Sequence, residues 1–151
     1  MDGWTPRPRT SATIGVRGSE PAFDHRSHRV DAKAAGERDE RGPGVCYGWQ
    51  ILAYCLMGNH YHLIVRIGDA GLRSGMRDLN SAYCQAFNRR RGIVGHVLQG
   101  RYKSPLVEED GYLAALARYV VRNPVRTGWC AHPAGWEWSS YRATVESAQT
   151  R

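Results

Sequence analysis

Lysine is almost missing from this chain: Lys33 and Lys103 are the only two among 21 basic side chains. Arginine therefore carries nearly all the positive charge, and its planar fork fits phosphate oxygens and stacks on bases. CxxC pairs are missing too. Cys46, Cys55, Cys84 and Cys130 stand far apart, which argues against a zinc knuckle and for unpaired, structural cysteines of a reducing compartment. No apolar run approaches the roughly 20 residues that cross a bilayer. The short apolar stretch of a secretory signal is also lacking. These absences lead us to expect a cytoplasmic protein without a membrane partner.

What is present fits one domain of ordinary size: 151 residues, 42% of them hydrophobic, with a mean hydropathy of −0.54. The formal net charge is +7 and the pI about 9.6, a balance that favours a polyanionic partner. A GC-rich gene also yields arginine in excess, so charge alone does not name that partner.

The chain divides unequally. Residues 1–44 are crowded with Arg, Gly, Pro, Asp and Glu, and Ile14, Val16, Phe23 and Val30 are isolated apolar positions. Without helical or strand periodicity, this segment is expected to be disordered or aberrant; residues 31–40 have at most the composition of a short polar helix. A globular pattern begins at Val45 and runs to about residue 146.

Within it, Tyr47 to Met57 reads as a strand, Gly58-Asn59 as a break, and His60 to Ile67 as its antiparallel neighbour. Leu72 to Arg91 reads as an amphipathic helix, with Leu72, Met76, Leu79, Tyr83, Ala86 and Phe87 on its core face. Arg89, Arg90 and Arg91 suit its negative end and Gly92 supplies the stop. A short strand is expected near Lys103 to Val107. A helix follows from an Asp110 cap to about Arg122, burying Leu113, Leu116, Ala117 and Val120 and ending near Pro124. A last short helix starts at Ser139 or Ser140. This order of elements predicts an α+β sandwich.

Two features could carry chemistry. His60 and His62 alternate along a strand, so both imidazoles project to one face while Tyr61, Leu63 and Val65 point into a core. Such a pair can hold a divalent metal, although paired strand histidines are also ordinary surface or packing residues. A metal-dependent hydrolase built on this pair would need a carboxylate-rich cluster, which it lacks. Tyr119 and Asn123 lie four residues apart and share a helical face, predicted opposite the Leu113/Leu116/Ala117 stripe. A rim tyrosine packed beside Tyr112 and Ala115 is the plain alternative.

The segments AYCLMGNHYHLIV, SAYCQAFNRRRGIVGHVLQGRYKSPLVEEDGYLAALARYVVRNPVRTGW and WEWSSYRA together resemble the REP-associated tyrosine transposases. These are single-tyrosine transposases of the HUH superfamily, and the similarity runs through residues 45–143 in unbroken order. It rests on Asn59 to His62, Gly100 to Ser104, and Arg118-Tyr119 through Asn123 to Arg126. The resemblance implies an HUH-type antiparallel sheet with helices packed on it, a ferredoxin-like or RRM-like sandwich. It implies that His60, His62 and Asn123 hold Mg²⁺ or Mn²⁺, and that Tyr119 attacks a phosphodiester to leave a 5′-phosphotyrosine and a free 3′-hydroxyl. Single-stranded DNA or DNA hairpins are the implied substrates, and either a monomer or a homodimer the working unit. Arg89, Arg90, Arg91, Arg101, Lys103, Arg122 and Arg126 are candidates to track the DNA backbone, with Arg101 and Lys103 preferred, and Tyr102 or His96 to stack on bases.

Two departures stand out. The family's first strand, with its Tyr-His-(Val/Ile)-Thr and Arg-Gly-Asn pattern, is not recognisable; Arg17-Gly18 is a faint echo. We therefore expect the N-terminal first strand to be missing, the domain truncated at that side, and residues 1–44 to derive from a truncated or frame-shifted start. Gly58 stands where the family more often has proline, which loosens the turn. An active transposase is the first expectation, and a catalytically inactive remnant that binds DNA hairpins is the alternative.

Overall fold

The computed structural model describes residues 9–14, 17–18, 47–67, 71–107 and 110–149. Four strands form the main sheet: β1 (Arg9–Ile14), β3 (Gln50–Leu56), β4 (Tyr61–Ile67) and β6 (Leu106–Val107), in the order β3-β4-β1-β6. A separate two-stranded ribbon joins β2 (Arg17–Gly18) to β5 (Leu98–Gln99). Helices α1 (Leu72–Arg91), α2 (Asp110–Val121), α3 (Asn123–Arg126) and α4 (Tyr141–Gln149) complete the chain, with a 3-10 turn at Pro133–Gly135. The expected antiparallel α+β sandwich is what forms.

The expected loss of the first strand is overturned. β1 pairs antiparallel with β4 along its whole length, from Arg9 opposite Ile67 to Ile14 opposite His62, and takes β6 on its other side. It satisfies the backbone edge of β4 that would otherwise be orphaned. The segment Arg-Thr-Ser-Ala-Thr-Ile carries three β-branched residues, which favour extended backbone. Its small polar side chains give no period-two apolar signal, so the strand is specified by its partners. Arg17-Gly18 pairs with Leu98–Gln99. The expected polar helix at 31–40 lies outside the described residues, as does the rest of the stretch 19–44.

The two faces of β4 divide the core. Tyr61, Leu63 and Val65 pack with Met76 and Phe87 of α1, while Ile64 packs with Ala53, Cys55, Met57 and Val120 on the α2 side. With helices on both faces, β4 is buried from Tyr61 to Val65. Helix α1 has the predicted bounds, and Gly92 (φ 63°) terminates it by donating its N–H to the Asn88 carbonyl. Tyr61 Oη donates to Asn80 Oδ1 at 2.7 Å, tying α1 to the sheet. Gly75 is needed for close approach, because a side chain there would overlap the Trp49 indole.

The outer edge of β3 is covered near its C-terminal end. Leu56 N–H donates to the Trp138 carbonyl (2.8 Å), Ser140 N–H to the Tyr54 carbonyl (3.0 Å), and Cys55 bridges Ser139. Burial pushes the Cys55 thiol up to about 12, as suits a packing residue. Cys84 and Cys130 are free thiols as well. No helix among the described residues is long and apolar enough to cross a membrane.

Candidate active site

Strand alternation puts His62 on the same face as Ile64, against α2, and the rings of His60 and His62 meet edge to face with centroids 5.0 Å apart. His60 Nδ1 lies 2.7 Å from Asn59 Oδ1. With the Asn59 oxygen turned toward it, a protonated Nδ1 donates here and Nε2 keeps the lone pair.

His62 is only 5% exposed. Burial, and secondarily the neighbouring His60, depress its pKa to about 4, so the ring is neutral at physiological pH. Its Nε2 faces the Asn123 side-chain amide at 2.7 Å. A half-turn of that amide exchanges nitrogen for oxygen in the same place, so Asn123 can offer either a donor or an acceptor here. His62 Nδ1 is buried and has no hydrogen-bond partner among the described residues.

Tyr119 closes the third side. Its ring stands edge-on to His62, with centroids 6.2 Å apart, and is 41% exposed. The Arg126 guanidinium carbon lies 4.6 Å from the Tyr119 ring centroid. One expectation needs correcting. Asn123 does not lie opposite the buried stripe of α2; it is itself buried and prolongs that stripe one turn beyond Val120. Tyr119 flanks it. α2 ends at Val121, as expected near Pro124, but the proline then sits in the first turn of α3, where its missing N–H costs nothing, and the chain keeps its helical path. Arg126 N–H still donates to the Arg122 carbonyl, at 3.1 Å.

Tryptophans lock the two halves of the site together. The N–H of Trp129 donates to the Pro124 carbonyl at 2.9 Å, and its indole lies where any side chain at position 58 would stand. Gly58 thus lets the turn before His60 pack against the chain leaving Asn123. The Trp136 indole N–H donates to the Leu56 carbonyl at 2.9 Å and its ring meets Trp129 edge-on, 5.3 Å between centroids.

In fold, the chain is similar to a REP-associated tyrosine transposase solved bound to a REP hairpin, with a TM-score of 0.73 and 17% identity over 97% of this chain and 86% of that one. The two share a fold. A candidate transposase from Deinococcus radiodurans R1 is also similar, with a TM-score of 0.53 and 9% identity over 80% of this chain and 93% of the other. No family model matches the chain, and no curated protein does.

Of the expected site residues, His60, His62, Asn123 and Tyr119 converge, and Arg126 joins them. Arg122 is exposed one position before Asn123. Arg89, Arg90 and Arg91 end α1, which covers the opposite face of the sheet, and Arg91 lies over Phe87 at 5.8 Å. They are not part of this cluster. Arg101 and Lys103 are exposed just beyond β5. β5 pairs with β2, which begins three residues past Ile14, the partner of His62, so chain length keeps Arg17 within roughly 10 Å of that end of β1 and β5 about one strand spacing further. Tyr102 is partly buried against the α1-side core, whereas His96 is exposed. Sequence reading missed the Arg126–Tyr119 stack and the tryptophan lock, though the spacing of Tyr119, Asn123 and Arg126 at i, i+4 and i+7 contains the signal for the first.

Proposed function

We propose that this chain is a single-tyrosine transposase of the HUH kind, which cuts single-stranded DNA beside hairpins and rejoins it through a 5′-phosphotyrosine. The observation that carries this reading is the meeting of the Tyr119 ring, His62 and the Asn123 amide on one sheet face. The fold shared with a transposase that was solved on a DNA hairpin supports it.

The half-exposed Tyr119 presents its phenol to a strand lying across the sheet end. Its oxygen attacks phosphorus, the bond from phosphorus to the 3′ oxygen breaks, and that oxygen leaves as a 3′-hydroxyl. The phenolic proton passes to solvent, and the departing 3′ oxygen takes its proton from solvent. One phosphodiester is exchanged for another, so a second 3′-hydroxyl can reverse the step and join a new strand without an outside energy source.

His60, His62 and Asn123 would hold Mg²⁺ or Mn²⁺. The donor set fits: two imidazoles and a side-chain amide that can turn its oxygen inward meet on one face, His62 Nε2 lying 2.7 Å from the Asn123 amide. Among the described residues no three of His, Cys, Asp and Glu gather to make a complete protein cage, which leaves positions for phosphate oxygens. When bound, such an ion polarises the scissile phosphate and offsets charge developing on it. His60, held by Asn59, and the buried His62 would supply the imidazole ligands. Arg101, Lys103 and Arg122 would take backbone phosphates.

The second reading is a hairpin-binding protein without turnover. It draws on His62 Nδ1, which has no hydrogen-bond partner among the described residues, whereas ligating histidines normally have such support. Incubating the protein with a labelled hairpin oligonucleotide and Mn²⁺ separates the two. A covalent protein–DNA adduct that is absent in Tyr119→Phe is the expected result; tight binding with no adduct in either protein favours the second reading.

A further inference from the structure

Helix direction brings Arg126 to Tyr119. Side chains on a helix lean toward its N-terminus, and positions i, i+4 and i+7 share a face. The backbone keeps that path through the α2–α3 junction, where Arg122 N–H donates to the Arg118 carbonyl and Arg126 N–H to the Arg122 carbonyl, each at 3.1 Å. Arg126 thus leans back over Asn123 and sets its guanidinium 4.6 Å from the Tyr119 ring centroid.

Two contacts fix this ring. His62 meets it edge-on and Arg126 covers its face. At 41% exposure Tyr119 would otherwise exchange among staggered rotamers, and in most of them the phenol would miss an in-line approach. A cation over an aromatic face is an attractive arrangement, and the flat guanidinium can lie along the ring as an ammonium cannot. Among the described residues no carboxylate pairs with Arg126, so the ring is what its charge engages.

We propose that Arg126 is the positioning residue of the nucleophile: it stacks on Tyr119 and holds the phenol in the conformation that reaches phosphorus, and is not chiefly a backbone-phosphate contact. This rests on the transposase reading given above. It predicts that losing the stack slows the chemical step more than it weakens DNA binding, since misplacing a reacting group by about 1 Å costs on the order of 100-fold in rate.

The test compares wild type, Arg126→Met and Arg126→Lys with a hairpin oligonucleotide bearing single-stranded flanks, in Mn²⁺. Single-turnover adduct formation at saturating DNA is measured beside Kd. The expected result is a rate roughly 10- to 100-fold lower for Arg126→Met, partial recovery in Arg126→Lys, and Kd within about threefold of wild type. In the DNA-free protein, the Arg126 side-chain protons should show an upfield ring-current shift in NMR spectra that disappears in Tyr119→Leu. An unshifted Arg126 spectrum, or a weakened Kd with unchanged single-turnover rate, overturns the proposal while leaving the transposase reading intact. A wild type that binds the oligonucleotide and never forms an adduct defeats the transposase reading itself and takes the positioning role with it.

Discussion

A histidine held out of water resists protonation, and at His62 this has a measurable consequence. An exposed histidine titrates near 6.5, whereas burial brings His62 to about 4. Between those values the unfolded chain takes up a proton at this position that the folded chain refuses. Stability therefore falls as pH drops through 6.5 toward 4, by something of order 3 kcal/mol from this residue when the window has been crossed. Urea unfolding across pH 4–7 should show that slope, and His62→Gln should flatten it; an equally steep slope in the variant would contradict the burial argument. The two imidazoles were legible because strand alternation sends residues 60 and 62 to one side. The burial of Asn123 was not, since an amide beside proline gives no sign from sequence that the helix resumes beyond Arg122.

Elements here are placed by close approach as much as by pattern. Helix α1 was readable to its last residue from its apolar spacing and Gly92. Gly75 inside it is explained only by the Trp49 indole lying against the helix backbone. Helix propensity alone makes Gly75→Ala stabilising by about 1 kcal/mol. Overlap with Trp49 reverses the sign, and we expect a loss of about 1–3 kcal/mol. The loss should shrink when Trp49→Ala is added, a coupling that a double-mutant cycle in denaturant reads directly. A Gly75→Ala variant more stable than wild type would show that the packing argument is wrong. Strand β1 is the opposite case: Thr, Ser and Ala offer almost no hydrophobic alternation, and its place at the centre of the sheet follows from the backbone edges of β4 and β6.

For the whole molecule, the net charge of +7 matters through where the arginines stand. Those ending α1 project from the helix on the far side of the sheet, while Arg101 and Lys103 follow the ribbon whose strand β2 comes three residues after Ile14, the partner of His62. If the latter pair bind phosphates, removing both should reduce the slope of log affinity against log salt by roughly 1.4, at about 0.7 per contact with a single strand. An unchanged slope would place the DNA elsewhere. The central claim, that Tyr119 performs strand cleavage, is tested most directly by the polarity of the bond it forms. A hairpin oligonucleotide labelled separately at each end is cut in Mn²⁺, and the protein-linked peptide is sequenced by mass spectrometry. The account predicts that the fragment on the 3′ side of the cut stays attached through its 5′ phosphate, to the peptide containing Tyr119, with the other fragment released bearing a 3′-hydroxyl. Cleavage that leaves both fragments free, or linkage to any other residue, would contradict it.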